Sequence, residues 1–195
     1  MDGVDFANAR LFNCNLSGAS LQHANLKWAA LDGCTIIGAD FTDADLFHTT
    51  FDEGVLDGSK FTRANMFGAN LNLVTARNVD FSNAYMKDIA MEESDLSGSK
   101  FKGCFMQRAV LINAQLTNTN FFTAVLTGGA LEGSNFTNAD LTRALINGVR
   151  LDHALLVDTD LLNARFVNSV LLNTDFTSAR NMPEHLRLML ESRTR

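Results

Sequence analysis

Large apolar residues recur along this chain at every fifth position. From Phe6 to Phe176, 35 consecutive positions whose numbers end in 1 or 6 hold Leu, Phe, Ile or Met, with Ala76 as the exception. Two residues before each of these centres stands Ala, Ser, Thr, Cys, Gly or Val, from Val4 to Thr174, with Ile89 as the exception. The register never slips. An amphipathic helix repeats its apolar positions about every 3.6 residues and a strand about every 2, so neither produces a period of five. A fixed repeat of this kind dictates a repeating architecture. The pattern stops after Ala179, and the following segment places Pro183 and Glu184 at a helix start with Leu186, Met189 and Leu190 on one side. This predicts a short helix near 183–192 and a division into a repeat unit, 1–181, and a C-terminal helix and tail, 182–195. The open end of a repeating stack would expose apolar groups and unpaired backbone, so the helix reads first as a cap.

Segments such as ADFTD (39–43), ANLKW (24–28), ADLTR (139–143) and SDLSG (94–98) carry a small residue, then Asp or Asn, then Leu or Phe. In this the chain resembles the pentapeptide repeat family, over residues 4 to about 178. The resemblance implies an all-β fold, a right-handed quadrilateral β-helix in which each pentapeptide is one side and four sides make a 20-residue coil. About nine coils would then stack at about 4.8 Å into a rod roughly 40 Å long. The family includes effectors, topoisomerase-protecting proteins and members of unknown role, so the resemblance implies no single activity; likeness to the gyrase-protecting members implies a second reading of the C-terminal helix, as a dimerisation element.

In such a coil, residues 20 apart lie over one another. Phe41, Phe61, Phe81, Phe101 and Phe121 then form one inward column of stacked rings. Ala76 would leave a gap between Leu56 and Leu96, near Met66, Met86, Met91 and Met106, so an irregularity is expected around the fourth and fifth coils. Cys14, Cys34 and Cys104 all fall at the small inward position and read as shielded free thiols. Three cysteines without a C-x-x-C give neither a zinc site nor a disulfide framework.

Charge narrows the function. The formal net charge is −6, which disfavours direct nucleic-acid binding through phosphate neutralisation. No stretch of 18 apolar residues occurs and the N-terminal residues lack a basic region followed by an apolar run, so the expectation is a cytoplasmic protein away from membranes. His23, His48, His153 and His185 share no metal-ligand spacing, and the Asp and Asn residues follow the repeat, where they serve the turn backbone. No Walker loop or dinucleotide fingerprint occurs among the glycines. The chain is therefore expected to be non-enzymatic, with no catalytic residue, metal or cofactor.

Function then falls to the outward positions. One set, read as a face, collects Trp28, Phe47, His48, Phe67, Tyr85 and Phe105, including the sole Trp and the sole Tyr. An exposed aromatic run of this sort marks a protein interface, for a partner or for a homodimer, and Phe47 and Phe67 read as dispensable for the core. A second set collects Asp32, Asp52, Glu53, Glu92, Glu93, Glu132 and Asp152, interrupted at Asn72 and Ile112. It reads either as a solubilising surface or as a DNA mimic that binds DNA gyrase or a related topoisomerase. A third set alternates Asp40, Lys60, Asp80 and Lys100, a charge ladder that favours register. The leading expectation is a protein-interaction scaffold working through the aromatic set. The alternatives are the topoisomerase binder and a purely structural module of a longer protein.

Overall fold

A computed structural model describes residues 1–191, and the last residue of the expected helix and the rest of the tail, 192–195, lie outside them. Each five-residue unit makes one isolated parallel bridge, at the residue before its centre, to the residue 20 further along, from Asp5–Asn25 to Asp160–Arg180. The coil is thus 20 residues, and a turn in every unit gives it four corners. The turn is closed by the amide three residues after the centre donating to the centre's carbonyl, as in Ala44 to Phe41 at 3.0 Å. Three further amides of each unit bond to neighbouring coils, as Asp45 to Ala24, Leu46 to Asn65 and His48 to Phe67 do at 2.7–2.9 Å.

One amide remains, on the residue after the centre, and it explains the Asp and Asn of the repeat. Asp40 Oδ1 accepts it from Thr42 at 3.0 Å and Asn120 Oδ1 from Phe122 at 2.9 Å, a local Asx turn that leaves no donor orphaned. The second residue of every turn has positive φ, near +50° to +75°. Only residues without a Cβ, or with a short side chain that tolerates this conformation, adopt it cheaply. Eleven of the thirteen glycines sit there, all but Gly54 and Gly129, along with Asn8, Asn13, Asn78, Asn83 and further asparagines.

Centres and small residues point inward and are buried from Leu21 to Leu171. The phenylalanine column stacks face to face, with successive centroids 4.8, 5.3, 5.0 and 4.6 Å apart from Phe41 to Phe121, and Phe51 packs edge-on against Phe41 and Phe61. Ala76 is fully buried, and valines at both adjoining inward positions, Val74 and Val79, supply bulk beside it. The expected irregularity does not appear: the bridges keep their 20-residue register past Ala76, and the hydroxyl-closed turns beside it recur at Val149 through Ser169. The turns at Val74 and Val79 are closed through hydroxyls of the next coil: Ser94 Oγ and Ser99 Oγ accept those amides at 3.2 and 2.9 Å. The same hydroxyls donate to the carbonyls of Leu71 and Ala76.

Helix α1, Glu184–Glu191, lies over the last coil. Leu186 is completely buried, with Met182, Met189 and Leu190 packed against the same core. In earlier coils the amide of a centre bonds a carbonyl 19 residues on, as Ile146 does with Arg165. At Phe166 that acceptor is His185 Nε2, at 3.2 Å. A side chain thus replaces the missing coil, which is the physical content of a cap.

All three cysteines are free; Cys34 and Cys104 are buried, whereas Cys14 is only half-buried because the first coil is covered from one side. Burial pushes the Cys104 thiol up to about 12, and burial together with hydrogen bonding to Cys34 pushes Cys14 up to about 12. Since the thiolate is the reactive form, an aqueous disulfide reagent at pH 8 should label Cys34 and Cys104 only after unfolding, and Cys14 slowly. Rapid native labelling of all three, followed by mass spectrometry, would contradict this packing.

Candidate functional site

The two outward sets occupy corners, a correction to their reading as faces. Residues one and two after each centre form the turn, so they stand at the edges of a square prism, whereas the residue before the centre lies in the middle of a flat side. Trp28, Phe47, His48 and Phe67 share one corner, and Tyr85 and Phe105 lie on the side leading to it.

The structure brings all six together. His48 lies flat on Trp28, centroids 4.3 Å apart and planes 7° from parallel, and Phe47 meets Trp28 edge-on at 5.5 Å. Phe47 stacks on Phe67 at 5.3 Å, Phe67 on Tyr85 at 6.1 Å and Tyr85 on Phe105 at 5.5 Å. One unbroken run of rings therefore crosses coils two to six. Gly68 makes room for it, because a Cβ there would come 2.5 Å from His48 Cε1. Phe67 and Tyr85 stack on a neighbouring ring at each face, whereas Trp28, Phe47 and Phe105 do so at one face only.

Exposure is uneven, a second correction. Trp28 is 57% exposed and Tyr85 41%, while Phe47, His48, Phe67 and Phe105 are half-buried. Removing Phe47 and Phe67 would thus remove stacking that supports the fold as well as surface. Trp28 carries its indole at φ 59°, a conformation costly for a bulky residue. Around the run, Lys27 pairs with Asp45 at 2.9 Å, Arg108 grips Asp88 through two hydrogen bonds of 2.6 Å, and Lys87 Nζ lies 5.9 Å from the Phe67 centroid. Hydrogen bonding to Arg108 holds the Asp88 carboxyl below the ordinary carboxylate range.

The acidic set lies on the next corner, and much of it is engaged along the axis. Asp32 Oδ1 accepts the Asp52 amide at 3.1 Å, Asp52 Oδ1 the Asn72 amide at 2.8 Å, and Asp152 Oδ1 the Leu172 amide at 3.0 Å. Glu132 pairs with Arg150 at 2.7 Å. Partial burial, with Asp32 and Glu53 nearby, raises the Asp52 carboxyl above its ordinary value. Glu53, Glu92 and Glu93 are exposed. Of the charge ladder, Lys100 and Asp80 close an ion pair at 3.7 Å. Sequence reading missed both the axial use of Asp32, Asp52 and Asp152 and the capping role of His185. The first was signalled by Asp or Asn recurring 20 apart after the centre, as at 32, 52 and 72; nothing in the sequence signalled the second.

Among the described residues, no group of three or more His, Cys, Asp or Glu could hold a metal ion, and no helix is long and apolar enough to cross a membrane. What remains is a four-sided parallel β-helix with one aromatic and one acidic corner. Sequence profiles described as a pentapeptide repeat region match residues 1–61, and as pentapeptide repeats in eight copies match 55–89, 91–128, 124–156 and 144–180. The chain belongs to the pentapeptide repeat family, and its fold is the right-handed quadrilateral β-helix.

Among solved structures, a trypsin-treated variant of QnrB1, a plasmid-mediated fluoroquinolone resistance protein, is similar at 21% identity and a TM-score of 0.63, over 94% of this chain and 96% of that one. HetL from Nostoc sp. strain PCC 7120, a pentapeptide repeat protein involved in heterocyst differentiation regulation, aligns at 21% identity over 94% and 91% of the chains, TM-score 0.36. A pentapeptide repeat protein of the Arabidopsis thaliana thylakoid lumen aligns at 26% identity over 64% and 75%, TM-score 0.48. At these levels the likeness to QnrB1 speaks for the fold. A search of curated proteins found no match.

Proposed function

We propose that the protein is a non-catalytic scaffold that binds another protein, or a second copy of itself, through the aromatic corner. The observation that carries this reading is the pairing of exposed Trp28 and Tyr85 on one run of stacked rings. Neither the indole N–H nor the phenol has a hydrogen-bond partner among the described residues. Aromatic side chains with an apolar body and a polar tip give large contact area at low entropic cost, and they dominate binding hot spots.

The test replaces the exposed members and leaves the half-buried ones in place. Trp28→Ser with Tyr85→Ser is expected to keep the circular dichroism spectrum and shift the unfolding midpoint little. It should weaken self-association or partner capture at least about 30-fold, corresponding to anchors of about 2 kcal/mol or more. A folded double variant that associates as before would turn attention to Asp52, Glu92 and Glu132 and to the gyrase-binding reading, which a supercoiling assay addresses. Absence of any association by the parent chain, in light scattering and pull-down, would favour the structural module.

A further inference from the structure

Between the aromatic and acidic corners lies a flat side whose middle, in coils two to five, carries only Ala30, Thr50, Asn70 and Ala90. Two alanines, Thr50 and Asn70 form its floor, Trp28 and the Phe47–His48 pair stand along one edge, and Glu53, Glu92 and Glu93 along the other. Two hollows indent the acidic edge, one lined by Phe12, Asp32, Asp52 and Glu53, the other by Leu73, Glu92 and Glu93. Each combines an exposed apolar side chain with carboxylates, the surroundings that suit the aliphatic stem and charged head of Lys or Arg.

Resting on the reading of the aromatic corner as a binding surface, we propose that this flat side seats a short amphipathic α-helix of a partner protein, its apolar stripe against the floor and the aromatic edge and its basic flank along the acidic edge. The floor's backbone decides against an extended strand. Thr50 N–H donates to Ala29, its carbonyl accepts from Leu31, and Asn70 and Ala90 are paired in the same way, so no ladder bond is left for an added strand. A helix satisfies its own backbone and needs only side-chain contact. Four coils at about 4.8 Å span about 19 Å, the length of about 13 helical residues. Charge fixes the flank, since the acidic edge meets the partner with surplus carboxylates. The chain's own helix does not match: Leu186 is buried in the cap, and Glu184 and Glu191 outnumber Arg187.

The sole tryptophan supplies the readout. A synthetic 16-residue peptide with Leu at helical spacing and Lys along one flank should shift Trp28 emission to shorter wavelength in a saturable titration. The same peptide with Glu on that flank, or interrupted by two prolines, should bind at least about tenfold more weakly. Glu92→Lys with Glu93→Lys should reverse the Lys-over-Glu preference. Equal binding of the proline-interrupted peptide, a shift driven by protein concentration alone, or no shift with any peptide would each overturn the helical occupant. The aromatic-corner reading would survive any of these if Trp28→Ser with Tyr85→Ser still abolishes association.

Discussion

Phe81→Ala is expected to lower the unfolding free energy by about 3–5 kcal/mol, the range for emptying a buried aromatic site. Phe81 is fully buried and stacked on both sides, 5.3 Å from Phe61 and 5.0 Å from Phe101. Coils above and below are tied to its own by bridges at fixed register, so the cavity cannot close by local collapse. Denaturant unfolding at constant slope measures the effect. A midpoint that scarcely moves would mean that the column contributes no cohesion of its own.

The second large effect separates the five-residue period from the 20-residue coil. Removing residues 81–100 should leave a stable, shorter rod, because Phe101 then lies over Phe61 and the ring column closes up. Removing 81–90 keeps the five-residue backbone repeat but turns everything after the cut by half a coil. Phe101 and Phe121 then leave the column, and Met91 lies over Phe61. Solenoid stability is a sum of nearest-neighbour terms, so one mismatched interface weakens the whole rod. The shorter deletion is expected to be the less stable, by an amount comparable to losing one buried ring, about 3 kcal/mol or more. Equal thermal midpoints for the two deletions would contradict a four-sided coil.

The centres and their small companions were legible because burial imposes a strict choice at both: a large apolar residue fills the narrow interior only where a small one leaves room. The Asp and Asn before the centres were legible for the same reason, as one amide per unit would otherwise lack an acceptor. The corners were not read, although the glycines and asparagines two residues after the centres mark the positive-φ position that defines them. Once that position is recognised, Trp28 and Glu53 become edge residues and the flat side between their corners becomes visible. His185 could not be read, because its role depends on where the coil stack ends and on an amide of Phe166 that nothing local in the sequence reveals. The aromatic set was legible as a group, but its division into exposed Trp28 and Tyr85 and half-buried Phe47 and Phe67 needed the stacking geometry.

We propose the aromatic corner, rather than any other part of the rod, as the working surface. Site-specific photocross-linking tests it most directly. A benzophenone amino acid is placed at Tyr85 in one protein and at Ile37 in another. Ile37 is also exposed, at 47%, and stands on the corner diagonally opposite the aromatic one. The two probes thus match in apolarity and exposure and differ in the surface they report. A working aromatic corner gives a discrete cross-linked protein, or a cross-linked dimer, from position 85 and none from position 37; adducts of equal yield from both, or from position 37 alone, would contradict it.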